Sequence, residues 1–166
     1  MVQQFLWHLK SRMDAGNVCP MTIHLIGQIK NRVRIASFLS PKTRIFHASW
    51  IKMHGYISDL SAIYEHMDMM ISPMMCGTGM NIKTAEAMAY GVPLLATTHA
   101  ARGTGSRELM HQHSNISELV DSLCALSNSG QELERLAEVS RKQFTYLNEQ
   151  NKHALMTLLS HPKLCI

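Results

Sequence analysis

The 166-residue sequence holds no apolar run near the roughly 20 residues that a bilayer-spanning helix requires. It also lacks a secretory apolar segment at its start, because His8, Lys10 and Arg12 interrupt the helical pattern there. A soluble, cytoplasmic protein is expected, with peripheral contact at the inner face of a membrane left open. Cysteine is sparse. Cys19, Cys76, Cys124 and Cys165 are widely spaced and form no C-x-x-C pair, which excludes a zinc knuckle and a disulfide framework. They are expected to be reduced and structural.

Acidic residues are missing altogether between Asp14 and Asp59, whereas Lys30, Arg32, Arg34, Lys42, Arg44 and Lys52 all fall in that interval. Such a basic face is either plain solvated surface or an attractor for a nucleotide or an anionic lipid surface. Aromatic residues make up 6% and do not alternate with the basic ones as stacking platforms would, so nucleic acid is not expected as a partner. What is present is ordinary globular chemistry, 46% hydrophobic and 17% charged, in a length that suits one domain and falls short of two nucleotide-binding lobes.

Apolar spacing predicts a helix through Val2, Phe5, Leu6, Leu9 and Met13, stopped at Gly16, then a buried strand over Met21–Ile26 ended by Gly27. A helix over Ile29–Leu39 stops at Ser40-Pro41, and the last part of Arg44–His54 reads as a strand broken by Gly55. Ser58 is the expected cap for a helix over Asp59–Met67. Met69–Pro73 and Val92–Thr97 read as strands flanking a helix over Asn81–Tyr90. Helices over Ile116–Leu126, Glu132–Leu147 and Asn151–Leu159 follow, separated by Ser127-Asn128-Ser129-Gly130 and by Asn148. Alternating strands and helices imply an α/β parallel sheet with a helical C-terminal extension. The core is expected over residues 20–105 and the C-terminal helices over 114–160.

The chemistry concentrates in ISPMMCGTGMNIKTAEAMAYGVPLLAT, from Ile71 to Thr97. Gly77, Lys83 and Thr84 match the first, seventh and eighth places of a P-loop, but Ile82 stands where the sixth-place glycine belongs. A dinucleotide fingerprint fits Gly77-Thr78-Gly79 and then also fails at Ile82. A third reading asks only for a helix N-terminus facing a diphosphate, with backbone N–H groups of Thr78–Asn81 on the anion and Glu86 on a pair of ribose hydroxyls. The bland alternative is a tight turn beside a solvated glutamate.

From Gly55 to Gly103 the chain resembles the C-terminal, donor-binding domain of retaining group 1 glycosyltransferases of the GT-B fold. The matching pieces are Gly55-Tyr56-Ile57 with Asp59-Leu60 and Tyr64, Met69–Pro73, GTGMNIKTAEAMAYGVPLLAT and Ala100-Ala101-Arg102-Gly103. The resemblance implies a Rossmann-like parallel sheet with flanking helices, one half of a GT-B fold without its first strand. It implies transfer of a hexose from a nucleotide diphosphate sugar to a saccharide or lipid-linked acceptor with retention, as part of a two-domain polysaccharide-type enzyme, and no cofactor beyond that donor substrate. In its terms Glu86 binds the donor ribose and the backbone of Gly77, Thr78, Gly79, Met80 and Asn81 cradles phosphate and sugar. Tyr56 and Ile57 neighbour the nucleobase, and Lys83 reaches a phosphate. The family's second glutamate, eight residues earlier, is here Thr78, so the sugar contact departs from the pattern.

The departure with structural weight is the absent strand. In a doubly wound sheet it is central, and each buried backbone group left unpaired costs about 1 to 3 kcal/mol. The chain is therefore expected to be a truncated product or fragment that is unstable alone or oligomerises to close the gap. A non-enzymatic remnant or interaction module is the alternative function. Between Arg107 and Ile116, where the family has a further strand, none is predicted. Among the ten histidines, His99, His111 and His113 are the best metal candidates, but no carboxylate or cysteine accompanies them at ligand spacing, and they are read as loop histidines in water. The methionines dense between Met67 and Met88 are read as core.

Overall fold

The computed structural model describes residues 1–16, 20–27 and 41–160. The expected helix over Ile29–Leu39 lies outside them, as do Lys30, Arg32, Arg34, Cys19 and Cys165. The element order is α1 (Val2–Asp14), β1 (Ile23–Ile26), a 3-10 helix (Pro41–His47), β2 (Ile51–Gly55), α2 (Ser61–His66) and β3 (Met70–Ser72). It continues with α3 (Ile82–Ala89), β4 (Leu94–Ala96), a 3-10 turn (Leu109–His111), α4 (Ile116–Leu126) and α5 (Gly130–Ser160). The α/β class and the helical C-terminal extension are as the sequence implies.

All strand pairing is parallel, but the sheet is divided. β1 pairs with β2, from Ile23 against Ile51 to Ile26 against Gly55, and β3 pairs with β4, from Met70 against Leu94 to Ser72 against Ala96. Among the described residues no ladder joins β1 to β3. Thr97 and His113 form one further parallel bridge beyond β4, a single-residue trace of the strand not predicted between Arg107 and Ile116.

The division corrects one expectation. The Met21–Ile26 run predicts a buried strand, yet all four residues of β1 are only half-buried, whereas all of β4 is buried. Among the described residues β1 has a hydrogen-bonded neighbour on one side only, and its side chains border a cleft. The larger core gathers Phe5, Leu6 and Leu9 of α1 against Leu119, Val120 and Leu123 of α4, with Leu95, Leu126 and Leu136. Leu9 lies four residues after Phe5 and three after Leu6, which puts all three on one helix face. Arg12 clamps the outside of that contact on Asp121, at 2.6 Å.

Local chemistry explains most boundaries. Asn115 caps α4 by accepting from the Glu118 amide at 3.0 Å, while the Glu118 carboxylate receives the amide of Ser114, one residue before the cap, and the Asn115 side-chain N–H. α3 ends on Gly91 at φ +66, with Val92 N–H on the Ala87 carbonyl and Gly91 N–H on the Met88 carbonyl, which is the Schellman closure. Ser58 is not the cap of α2. That helix starts at Ser61 after Leu60, and Asp59 Oδ1 accepts from both the amide and the hydroxyl of Ser61, holding its own carboxyl below the usual range. A carboxylate competes for the orphan amide better than a neutral hydroxyl one residue earlier.

Two helices expected on either side of Asn148 are one 31-residue helix, α5. Asparagine inside a helix costs only up to about 0.7 kcal/mol relative to alanine, and with no glycine or proline beside it the helix continues. Methionine is also less uniform than read. Met88 is fully buried and Met69, Met70 and Met74 pack on the cores, but Met75 and Met80, in the glycine loop, are exposed. Among the described residues no helix is long and apolar enough to cross a membrane.

Candidate functional site

The glycine loop leaves the C-terminal end of β3 and opens α3. Gly77 stands at φ +140 and Gly79 at φ +71, conformations that side-chain-bearing residues rarely adopt. Asn81 closes the loop in two directions: its Oδ1 accepts from the Lys83 amide at 3.2 Å and its Nδ2 donates to Ser72 Oγ at 3.0 Å. Buried Thr84 donates to the Ala100 carbonyl at 3.0 Å, and Thr97 donates to the Met74 carbonyl. β3, α3 and the turn after β4 are thereby fixed to one another beneath the loop.

Arg102 is the residue that sequence reasoning left without a role. Its guanidinium donates to the carbonyls of Gly77, at 3.0 Å, and Gly79, at 3.1 Å, drawing both oxygens to one side of the loop. The amides of Thr78, Gly79 and Met80 make no hydrogen bond to other described groups. Together with the α3 N-terminus they form a patch of donors suited to an anion. The only local hint of Arg102 was its place in the Ala100–Gly103 segment. Gly103, at φ +84, is also held close, since a Cβ there would stand 3.1 Å from Met80 Cβ.

Glu86 sits one turn into α3. Its Oε2 receives Lys83 Nζ at 2.8 Å and the Tyr64 hydroxyl at 3.4 Å. Tyr64, one of the residues that carry the resemblance, stacks on Tyr90 with centroids 4.9 Å apart. Burial first, then the Glu86 charge, pushes the Tyr64 hydroxyl up to about 12, so it remains a donor at neutral pH. Lys83 and Glu86 neutralise each other across an exposed i, i+3 pair.

Two cavities flank the loop. One, of about 350 Å³, is lined by Tyr56, Ile57, Tyr64, Pro73 and Lys83 and runs on between β1 and β3. The other, of about 530 Å³, is lined by Met75, His99, Arg102, Ser106 and His111 among others. Of the residues singled out in the sequence, Tyr56, Ile57 and Lys83 come together in the first cavity. Glu86 is not in its lining but touches it through Lys83 and Tyr64, both of which are. Gly77, Thr78, Gly79, Met80 and Asn81 line neither cavity; the loop is tied to the second through Arg102, which donates to Gly77 and Gly79, and to the first through Lys83, whose amide donates to Asn81. Tyr56 is 75% exposed, a free aromatic face at the mouth.

The histidines are a second correction. His111 and His113 are not solvated loop residues, being 0% and 8% exposed. His113 bonds the Ala96 carbonyl through Nδ1 at 3.0 Å and Ser122 Oγ through Nε2 at 2.7 Å, fitting an imidazole into the edge beside β4. His111 Nδ1 meets Ser106 Oγ at 2.7 Å, its Nε2 makes no well-formed hydrogen bond among the described residues, and burial pushes its pKa down to about 4. Among the described residues no three His, Cys, Asp or Glu side chains are placed to hold a metal ion. Cys76 and Cys124 are free thiols.

Parallel strands, a glycine turn at their C-terminal edge and an acid within the following helix define an α/β domain of the kind that binds phosphorylated ligands. The model of the family Glycosyl transferases group 1 matches residues 3–129, and the chain belongs to that family. No curated protein and no solved structure matches the chain. Membership assigns glycosyl transfer as the general chemistry and a nucleotide-sugar donor and an acceptor as the general substrates.

Proposed function

We propose that this domain binds a nucleotide diphosphate sugar at the glycine loop Gly77–Asn81 and serves transfer of its hexose, with retention, to a saccharide or lipid-linked acceptor. In this reading the whole chain is a single nucleotide-sugar-binding domain acting at the cytoplasmic side, in peripheral contact with the membrane where the acceptor is lipid-linked. The observation that carries the proposal is the juxtaposition of free loop amides with the Lys83–Glu86 pair and the Tyr56–Ile57 cavity mouth. The diphosphate takes the amides of Thr78–Met80 and draws Lys83 Nζ away from Glu86. The freed carboxylate accepts the ribose hydroxyls, and the base lies against Tyr56 and Ile57. Charge that develops on the departing phosphate faces the α3 N-terminus, where oriented N–H groups stabilise it. No further cofactor enters this scheme.

Calorimetric titration with UDP, GDP and ADP tests this directly. Glu86→Ala removes hydrogen bonds to a charged acceptor, each worth about 1.5–3 kcal/mol, and should weaken binding roughly 10- to 100-fold. Affinity unaltered by the substitution removes Glu86 from the ribose role, and absence of binding for all three nucleotides ends the reading for this chain. The second reading, an interaction module that has lost turnover, is favoured by one specific feature, the divided sheet.

A further inference from the structure

β1 and β2 each bring a histidine to one face of their shared ladder. The pairing sets Ile23 against Ile51, His24 against Lys52 and Leu25 against Met53, then slips by one to set Ile26 against Gly55. His54 is the residue left over at that slip, and an extra residue of this kind re-aims its side chain. It meets the histidine diagonal to it, with His54 Nε2 standing 3.0 Å from His24 Nδ1. The rings are 20° from parallel and their centroids 4.9 Å apart, so they meet edge to edge through these nitrogens and do not overlap. His54 is exposed and His24 half-buried, which leaves the pair accessible from solvent.

Two neutral imidazoles at this distance share one proton. The same two nitrogens, each about 2.05 Å from a metal ion, would subtend an angle of about 94° at it. That is the cis angle of a square-planar or octahedral centre, whereas tetrahedral zinc needs nitrogens about 3.3 Å apart. Burial first, then the charges of His54 and Lys52, hold the His24 imidazole below its ordinary range, so at neutral pH it is a neutral ligand.

We propose that His24 and His54 form a two-imidazole chelate for a late first-row divalent ion, Cu(II) or Ni(II), across the β1–β2 ladder. The ion sits between the two facing nitrogens. The proton they share moves to the far nitrogen of its own ring, so both ligands stay neutral and each keeps one N–H. Among the described residues no third His, Cys, Asp or Glu joins the pair, so water fills the remaining positions and the ion exchanges. Lys52, level with His24 in the ladder, repels the incoming cation and keeps the affinity modest. A bound ion links the two strands of the open half-sheet and stabilises the folded chain by mass action. The site uses the β1–β2 ladder alone, and none of Gly77–Asn81, Lys83 or Glu86 takes part, so it stands or falls apart from donor binding.

Calorimetric titration of the full chain with nickel chloride, in a buffer that does not chelate, is the first test. The tightest site should hold one ion per chain, bind roughly tenfold or more weakly in both His24→Gln and His54→Gln, and be unaltered in His8→Gln, whose imidazole is exposed on α1. Loss confined to one of the two variants would mean a single-histidine contact and overturn the proposal, as would no binding by the parent. Should either variant misfold, the parent supplies a second measurement. Substoichiometric Cu(II) should broaden the amide resonances of His24, Leu25, His54 and Gly55 before those around His8 and His66. Broadening that begins at other histidines would place the ion elsewhere and overturn the proposal as well.

Discussion

The two half-sheets have the same kind of parallel pairing and opposite surroundings. β3 and β4 are locked by α3, by Thr84 and Thr97 on the turn beyond, and by His113 bridging to Thr97 at the far edge. Leu94, Leu95 and Ala96 are fully buried as a result. β1 also carries apolar Ile23, Leu25 and Ile26, but it opens on the cleft and none of its residues is fully buried. Residue type alone does not create a core. Leu25 and Leu95 differ in whether elements are present on both sides, and the half that carries the glycine loop is the half that is closed.

The sharpest way to break this comparison is to truncate one leucine in each half. Leu95→Ala empties a fully enclosed site and should cost about 2–5 kcal/mol, whereas Leu25→Ala borders open space and should cost about 1 kcal/mol, because the cleft already denies it full burial. Urea unfolding of both variants against the parent measures the difference. Equal losses would mean that β1 is as enclosed in solution as β4, and the contrast between the halves would fall.

A smaller effect sharpens the same contrast through pH. His111 lies in the turn that covers β4 and its folded pKa is pushed down to about 4 by burial, against an ordinary value of 6.5. Between those values the unfolded chain binds a proton that the folded chain excludes, so stability is complete above pH 6.5 and is lost as the pH falls toward 4. The loss over that window is of order 2–3 kcal/mol. Melting curves at pH 7.5 and 5 should differ by more in the parent than in His111→Phe. An equal difference in both would show that the imidazole is solvated.

Much of this was legible in the sequence because it depends on local rules. The Ile116–Leu126 helix has its cap and its acidic third residue written in Asn115 and Glu118, and the loop at Gly77–Gly79 announces its backbone by glycine. The parallel order followed from strands alternating with helices. What was not legible depends on partners far apart in the chain. The role of Arg102 exists only because the turn after β4 folds back over a loop some 23 residues earlier. The burial of His111 and His113 exists only because α4 and β4 close around a stretch that reads as polar. Asn148 reads as a break by turn propensity, but α5 runs through it with residues 148–157 exposed, because one asparagine between Leu147 and Glu149 costs too little to end a helix.

The last test concerns how the closed half is fastened to α5. Arg135 donates to both oxygens of Glu108, at 2.9 and 3.1 Å, and also to Glu132, so the turn leading to His111 is tied to the long helix by a two-point ion pair. The Arg135 guanidinium holds the Glu108 carboxyl below its usual range, so this contribution is present above the ordinary carboxylate pKa and fades as pH falls through the lowered one. Arg135 is 44% exposed and screened by water, so Arg135→Gln should cost only about 0.5–1 kcal/mol at neutral pH and less in strong salt. The β1–β2 half has no comparable fastening to α5 among the ion pairs of the described residues, so hydrogen exchange in Arg135→Gln should quicken at Met110–His113 and stay constant at Ile23–Ile26. Quickening spread evenly over both segments would mean that the halves open together, and the division seen in the sheet would carry no consequence for its motions.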